Sequence, residues 1–249
     1  MTILTARSNV ANHRVGDAFL GQLSALATAS KDSLTHLGHL TSLAVGTVET
    51  LASPTPSVPQ SLDEHLRARA MNYPGQREQS DSLAANSTCA SLERQLQLLL
   101  DEIASTLTSP DLPNTVNSTF GPVRLVDYLR AHCIVLAGLA YQITGTPTQA
   151  VVAEAVRSLA AVLAERQPGR SIELRVPPLT AVQLGALGDA SVHTRGTPPN
   201  VVEMNPRIFL TMATGTSNWD DAYAAGELSV SGAHAVEIAD LLPVIDLTR

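Results

Sequence analysis

Lysine is nearly absent from this chain: Lys31 is the only one in 249 residues, and 16 basic side chains face 23 acidic ones. The formal charge of −7, with no Lys/Arg cluster, argues against nucleic acid or an anionic membrane surface, either of which needs a basic patch. Aromatic residues make up only 3% of the chain. Ala and Leu take their place, which favours packed helices over an aromatic-rich β-sandwich. The longest apolar run, Cys133 to Ala140, falls far short of the ~20 residues that cross a bilayer, so no membrane span is expected. The first residues, from Met1 to Asn9, carry no apolar core behind a basic start, and the expected location is therefore cytoplasmic. The two cysteines, Cys89 and Cys133, lack CxxC spacing and read as reduced, small, mostly buried hydrophobes. Phosphate-binding loops, a dinucleotide fingerprint and the G-x-S-x-G elbow are missing, and neither cysteine has a nearby histidine in an obvious elbow.

What is present is 44% hydrophobic residues in a chain long enough for two ordinary domains. The first half repeats at the helical period. Val15, Phe19, Leu23 and Leu26 form one stripe, Leu37, Leu40, Ala44, Val48 and Leu51 a second, and Leu92, Leu96, Leu99 and Ile103 a third. A short link around Ser30 makes the first two helices antiparallel. Pro54, Pro56 and Pro59 exclude a helix there, so that segment crosses between elements. Ser61 and Glu64 form a capping box opening a short helix near Leu62, which ends before Pro74 and Gly75. Pro122 suits the first turn of a fourth long helix through Gln142. These four long helices read as an up-and-down bundle over residues 1–146, ending at the Gly145, Pro147 break.

Past that break a helix from Ala150 to Glu165 stops at Pro168 and Gly169, and the period changes. Ile172, Leu174 and Val176 alternate with Glu173 and Arg175 as a strand with one buried face, and Val182 and Leu184 continue after a bend at Pro177 and Pro178. Two more short strands cover Val201 to Glu203 and Leu228 to Val230. Asn205 and Pro206 open a helix through Ala213, Asn218 or Ser217 caps another that Gly226 stops, and Ala233 to Val244 is the last helix. Residues 147–249 thus form an α+β domain.

The block from His193 through Arg195, Gly196, Pro198, Pro199 and Asn200, followed by Trp219 to Gly232, gives this second domain its character. With the order of elements around it, it resembles the sterol-carrier-like (SCP2-like) domain of actinobacterial proteins, a relative of sterol carrier protein 2. The resemblance implies an apolar ligand, such as an acyl chain or sterol, held between a curved sheet and its helices without covalent chemistry. It makes Ile172, Leu174, Val182, Leu184, Phe209, Met212 and Trp219 candidates for the cavity wall; otherwise they fill a small core. The loop at Arg195 sets a guanidinium beside a glycine N–H and could grip the polar end of the ligand, or could be a structural turn whose arginine pairs with Glu203 or Asp220. His193 precedes that loop, and a lone histidine there has no partner suggesting catalysis.

The first half, through Gly121 to Gln142 and through Leu37 to Leu40, resembles the DinB-like bundle that opens mycothiol-dependent maleylpyruvate isomerases. In that family a histidine on the second helix joins a glutamate and a histidine, four apart on the last long helix, to hold a divalent metal; i, i+4 spacing stacks both on one face. His39 matches the first ligand, but Val135 and Leu139 occupy the other two positions, so the resemblance implies a bundle that has kept the fold and dropped the metal. His36, His39 and His132 could improvise a three-histidine site, although no acid is placed to orient them. The resulting expectation is a two-domain protein without cofactor that carries a hydrophobic or amphipathic small molecule non-catalytically and could form a homo-oligomer. The rivals are a mycothiol-dependent, metal-requiring isomerase or thiol transferase, and a protein-interaction scaffold.

Overall fold

The computed structural model describes residues 3–187 and 200–248, with side chains from residue 9 onward. The chain divides into two compact units, Met1–Val151 and Val152–Arg249.

The first unit is helical. Its long helices are α1 (Ile3–Ala29), α2 (Leu34–Leu51), α5 (Cys89–Leu107) and α6 (Leu125–Ile143), with the short α3 (Leu62–Met71) and α4 (Tyr73–Ala85) between α2 and α5. Helix α1 packs on α6 and α5, and α2 packs on α5 and α4. The stripes read from the sequence supply this core: Val15, Phe19, Leu23, Leu26, Leu37, Leu40, Leu92, Leu96 and Ile103 have almost no exposed surface. Each such side chain contributes on the order of 2 kcal/mol relative to remaining in water. On α5 the seam runs through Leu100 and Leu107, with Leu99 half-buried beside it. Val48 on α2 is likewise half-buried. The capping box at Ser61 is present, with the Ser61 N–H donating to the Glu64 carboxylate at 2.7 Å and the Glu64 N–H donating to the Ser61 hydroxyl.

The short helix ends before Pro74 and Gly75 as expected, and a further helix, α4, follows after Asn72 alone, with Pro74 in its first turn, where a missing N–H costs nothing. One expectation needs correction here: Pro122 does not open the last bundle helix. It lies in β2 (Gly121–Arg124), paired antiparallel with β1 (Thr115–Ser118), and α6 begins three residues later at Leu125. Gly121, at φ 104°, closes the two-residue turn at Thr119 and Phe120, a backbone setting that only glycine adopts cheaply. The fixed φ of Pro122 suits an extended strand as well as a helical first turn. The proline-rich segment does cross between elements, and it is tied down along the hairpin. Thr55 N donates to Thr115 O, Asn117 N to Ser53 O, and Gln60 N to Pro122 O.

The second unit is α+β. Helix α7 (Gln149–Arg166), whose first residues fall before the unit boundary, precedes a four-stranded sheet ordered β4-β3-β5-β6: β3 (Ile172–Val176), β4 (Thr180–Leu184), β5 (Asn200–Met204) and β6 (Leu228–Ser231). β3 pairs antiparallel with β4 and parallel with β5, and β5 pairs antiparallel with β6. Alternation buries Ile172, Leu174 and Val176 on one face of β3, with Val202 and Met204 buried on β5. Helix α8 (Pro206–Ala213) starts at its Asn205 cap, and α9 (Trp219–Ala224) at its Asn218 cap, each amide oxygen accepting a backbone N–H three residues on. The last expected helix is instead a shorter 3-10 helix, Ala235–Leu241, since Pro243 cannot donate a backbone hydrogen bond and the backbone is already extended at Leu242. No helix among the described residues is long and apolar enough to cross a membrane.

Candidate functional site

The bundle holds a partly open cavity of about 470 Å³, within the range that holds small ligands. Five elements build its wall. Helix α2 contributes His39, α3 contributes Arg69, the first turns of α4 contribute Gln76 and Ser80, the β1–β2 turn contributes Phe120, and α6 contributes Tyr128, His132, Val135 and Leu139. The spacing on α6 explains its part: residues 128, 132, 135 and 139 fall one turn apart and share a face.

The floor is polar and buried. Arg69 is only 6% exposed, and His65, one turn earlier on α3, is fully buried. His132 Nδ1 lies 2.9 Å from the Tyr128 carbonyl, which can only accept, so the ring proton is on Nδ1 and the bare Nε2 accepts from Arg69 Nη1 at 3.3 Å. Gln60 Nε2 donates both to Phe120 O and to His65 Nδ1, which places the His65 proton on Nε2. That Nε2–H, Arg69 Nε and Gln76 Nε2 are buried without a hydrogen-bond partner. The Tyr128 hydroxyl donates to Gly46 O at 3.2 Å. Burial, reinforced by the Arg69 charge, pushes the His65 pKa down to about 4 and the His132 pKa well below its ordinary value. Burial also lowers the pKa of Arg69, with Tyr128 and Tyr73 opposing, yet a guanidinium keeps its proton at neutral pH.

His39 is half-buried at this wall, its pKa lowered by burial against the pull of Asp81. Val135 is 9% exposed and Leu139 half-buried in the same wall, so the structure brings together all three positions singled out by the bundle resemblance. A divalent metal does not fit them. Two are hydrocarbon, His132 has both ring nitrogens engaged, and the Arg69 cation stands in the same cavity. Among the described residues no group of three His, Cys, Asp or Glu side chains converges. His36 is absent from the residues lining this cavity.

In the second unit Ile172, Leu174, Leu184, Phe209 and Met212 are buried, while Val182 and Trp219 are half-buried. Ile172 faces Leu184 and Leu174 faces Val182 across the β3–β4 ladder, and Phe209 and Met212 lie one turn apart on α8. Asn200, the end of the proline loop, is structural: its Nδ2 donates to Ser171 O and its Oδ1 accepts from His234 N. Arg195 and His193 lie outside the described residues. The sequence reading passed over Arg69, Gln76 and Tyr128. A signal existed for the first: Leu62, His65, Leu66 and Arg69 follow the spacing of an inward stripe, which puts a histidine and an arginine at core positions. A more open groove of about 610 Å³ along α1, α2 and α5 is edged by exposed Lys31 and Arg94 and gathers no buried polar group.

Residues 148–244 match a family model described as Bacterial SCP ortholog, so the expected sterol-carrier-type domain is present. The chain is also similar to a solved structure titled a mycothiol-dependent maleylpyruvate isomerase, and equally to one of a histidine-to-alanine variant of it. In each case the likeness has 13% identity, spans 93% of this chain and 96% of the other, and has a TM-score of 0.46. No curated protein matches the chain.

Proposed function

We propose that this protein binds an apolar or amphipathic small molecule of lipid, sterol or acyl type in its C-terminal domain and does not transform it. The observation that carries this reading is the Bacterial SCP ortholog match over residues 148–244, on a domain whose strands and helix α8 turn Ile172, Leu174, Phe209 and Met212 inward. Arg195 is the proposed partner for the polar end of the ligand, with Val182, Leu184 and Trp219 completing the apolar wall. The non-catalytic half is supported by Val135 and Leu139, which offer a metal no lone pair.

Displacement of a fluorescent polyene fatty acid from the full chain tests the assignment. Leu174→Asp or Met212→Asp is expected to abolish binding, since a carboxylate in an apolar cavity costs several kcal/mol or forces its own protonation. Met212→Ala is the milder variant, expected to cost a few kcal/mol of stability and to weaken binding by a few-fold. Unchanged affinity in either aspartate variant, with its circular dichroism intact, would sink the cavity.

A further inference from the structure

Arg69 is a cation buried in the bundle with no carboxylate paired to it among the described residues, and one edge of it faces a cavity. Buried guanidinium groups are ordinarily matched by an acid, because an uncompensated charge in a low-dielectric interior is expensive. Among the described residues its one side-chain hydrogen-bond partner is the neutral Nε2 of His132, and the Nε–H has none. Gln76 brings a second unpartnered donor to the same wall from the first turns of α4. The amino end of that helix lacks a side-chain cap: Asn72 turns its side chain back to donate to Ala68 O. A guanidinium, an amide N–H and a helix amino terminus all favour negative charge. Glu49, on the cavity rim, is exposed and makes no ion pair with Arg69. Val135, Leu139 and Leu43 add hydrocarbon to a lining that is otherwise mostly polar.

We propose that the bundle cavity is a second binding site, which takes a small amphipathic molecule with one carboxylate or comparable oxyanion, its charged end on Arg69 and Gln76 and its apolar end on Val135 and Leu139. The anion supplies the missing counter-charge, and the volume of about 470 Å³ accommodates a short chain or a single ring behind it.

Titration calorimetry of the full chain with octanoate, octyl phosphate and octanol tests this. Either octanoate or octyl phosphate is expected to bind at least roughly tenfold more tightly than octanol, the usual worth of a charge-assisted hydrogen bond, and the preferred one identifies the oxyanion. Arg69→Met is expected to erase that preference while leaving thermal stability unchanged or raised, because it removes an unpaired buried charge. Gln76→Leu, at a half-buried position, should reduce the preference several-fold and serves if Arg69→Met fails to fold. Equal affinity for octanol and both anions in the wild type overturns the site, and so does a folded Arg69→Met that binds like wild type. Leu174→Asp separates the two proposals: it should leave the Arg69-dependent binding intact even where C-terminal binding is lost.

Discussion

His65 and His132 are held neutral inside the bundle, and this fixes how its stability responds to acid. Between pH about 6.5 and about 4 the unfolded chain binds a proton at position 65 that the folded chain refuses, so the stability His65 contributes is complete above that window and falls as the pH drops through it, and His132 acts in the same direction. For His65 alone the full loss is about 3 kcal/mol. His65→Phe, which fills the ring's space without titrating, is expected to shrink the difference in urea midpoint between pH 7 and pH 4.5; an unchanged difference would show that this histidine does not set the slope. At this scale the sequence was readable in part. His39, Val135 and Leu139 were picked out as the positions where the bundle resemblance places metal ligands, and all three line one cavity. Arg69 was not picked out, because an arginine in a short helix reads as solvated unless its place on the inward stripe is weighed against its neighbours Leu62, His65 and Leu66.

Helix α4 supplies Gln76 and Ser80 to the cavity, and its position depends on Gly38 of α2. A Cβ at Gly38 would lie 2.8 Å from the Ser80 carbonyl oxygen and 2.9 Å from the Ala84 Cβ, so the two helices approach only because that carbon is missing. Gly38→Ala is therefore expected to cost about 1–3 kcal/mol by forcing α4 away, despite alanine's better helix propensity. Gly21→Ala, at an exposed position of α1 where a Cβ meets nothing within 4 Å, should instead stabilise by up to about 1 kcal/mol. Urea denaturation of both variants checks the contrast, and equal effects would contradict the close-packing account. Elements with strong local punctuation were legible: the caps at Asn205 and Asn218 and the stop at Gly226 set the bounds of α8 and α9. The β1–β2 hairpin was not. Its strands are four residues long, too short for a period to declare itself, and Pro122 is equally at home in a helical first turn.

At the scale of the whole molecule, composition and period separated a helical bundle from an α+β domain, because the switch from a repeat of 3.6 to a repeat of 2 at Ile172 is a physical difference in which faces are buried. What composition could not reveal was chemistry inside the bundle, since a cavity is made by residues from five elements distant in sequence. The central claim is that the chain carries a small molecule and is not built around a metal, and native mass spectrometry of the freshly purified full chain tests it most directly. The account predicts a noncovalent apolar or amphipathic passenger that is released when the protein is denatured, with no stoichiometric zinc adduct. A near-stoichiometric zinc adduct that disappears in His39→Ala, with no organic passenger, would contradict it.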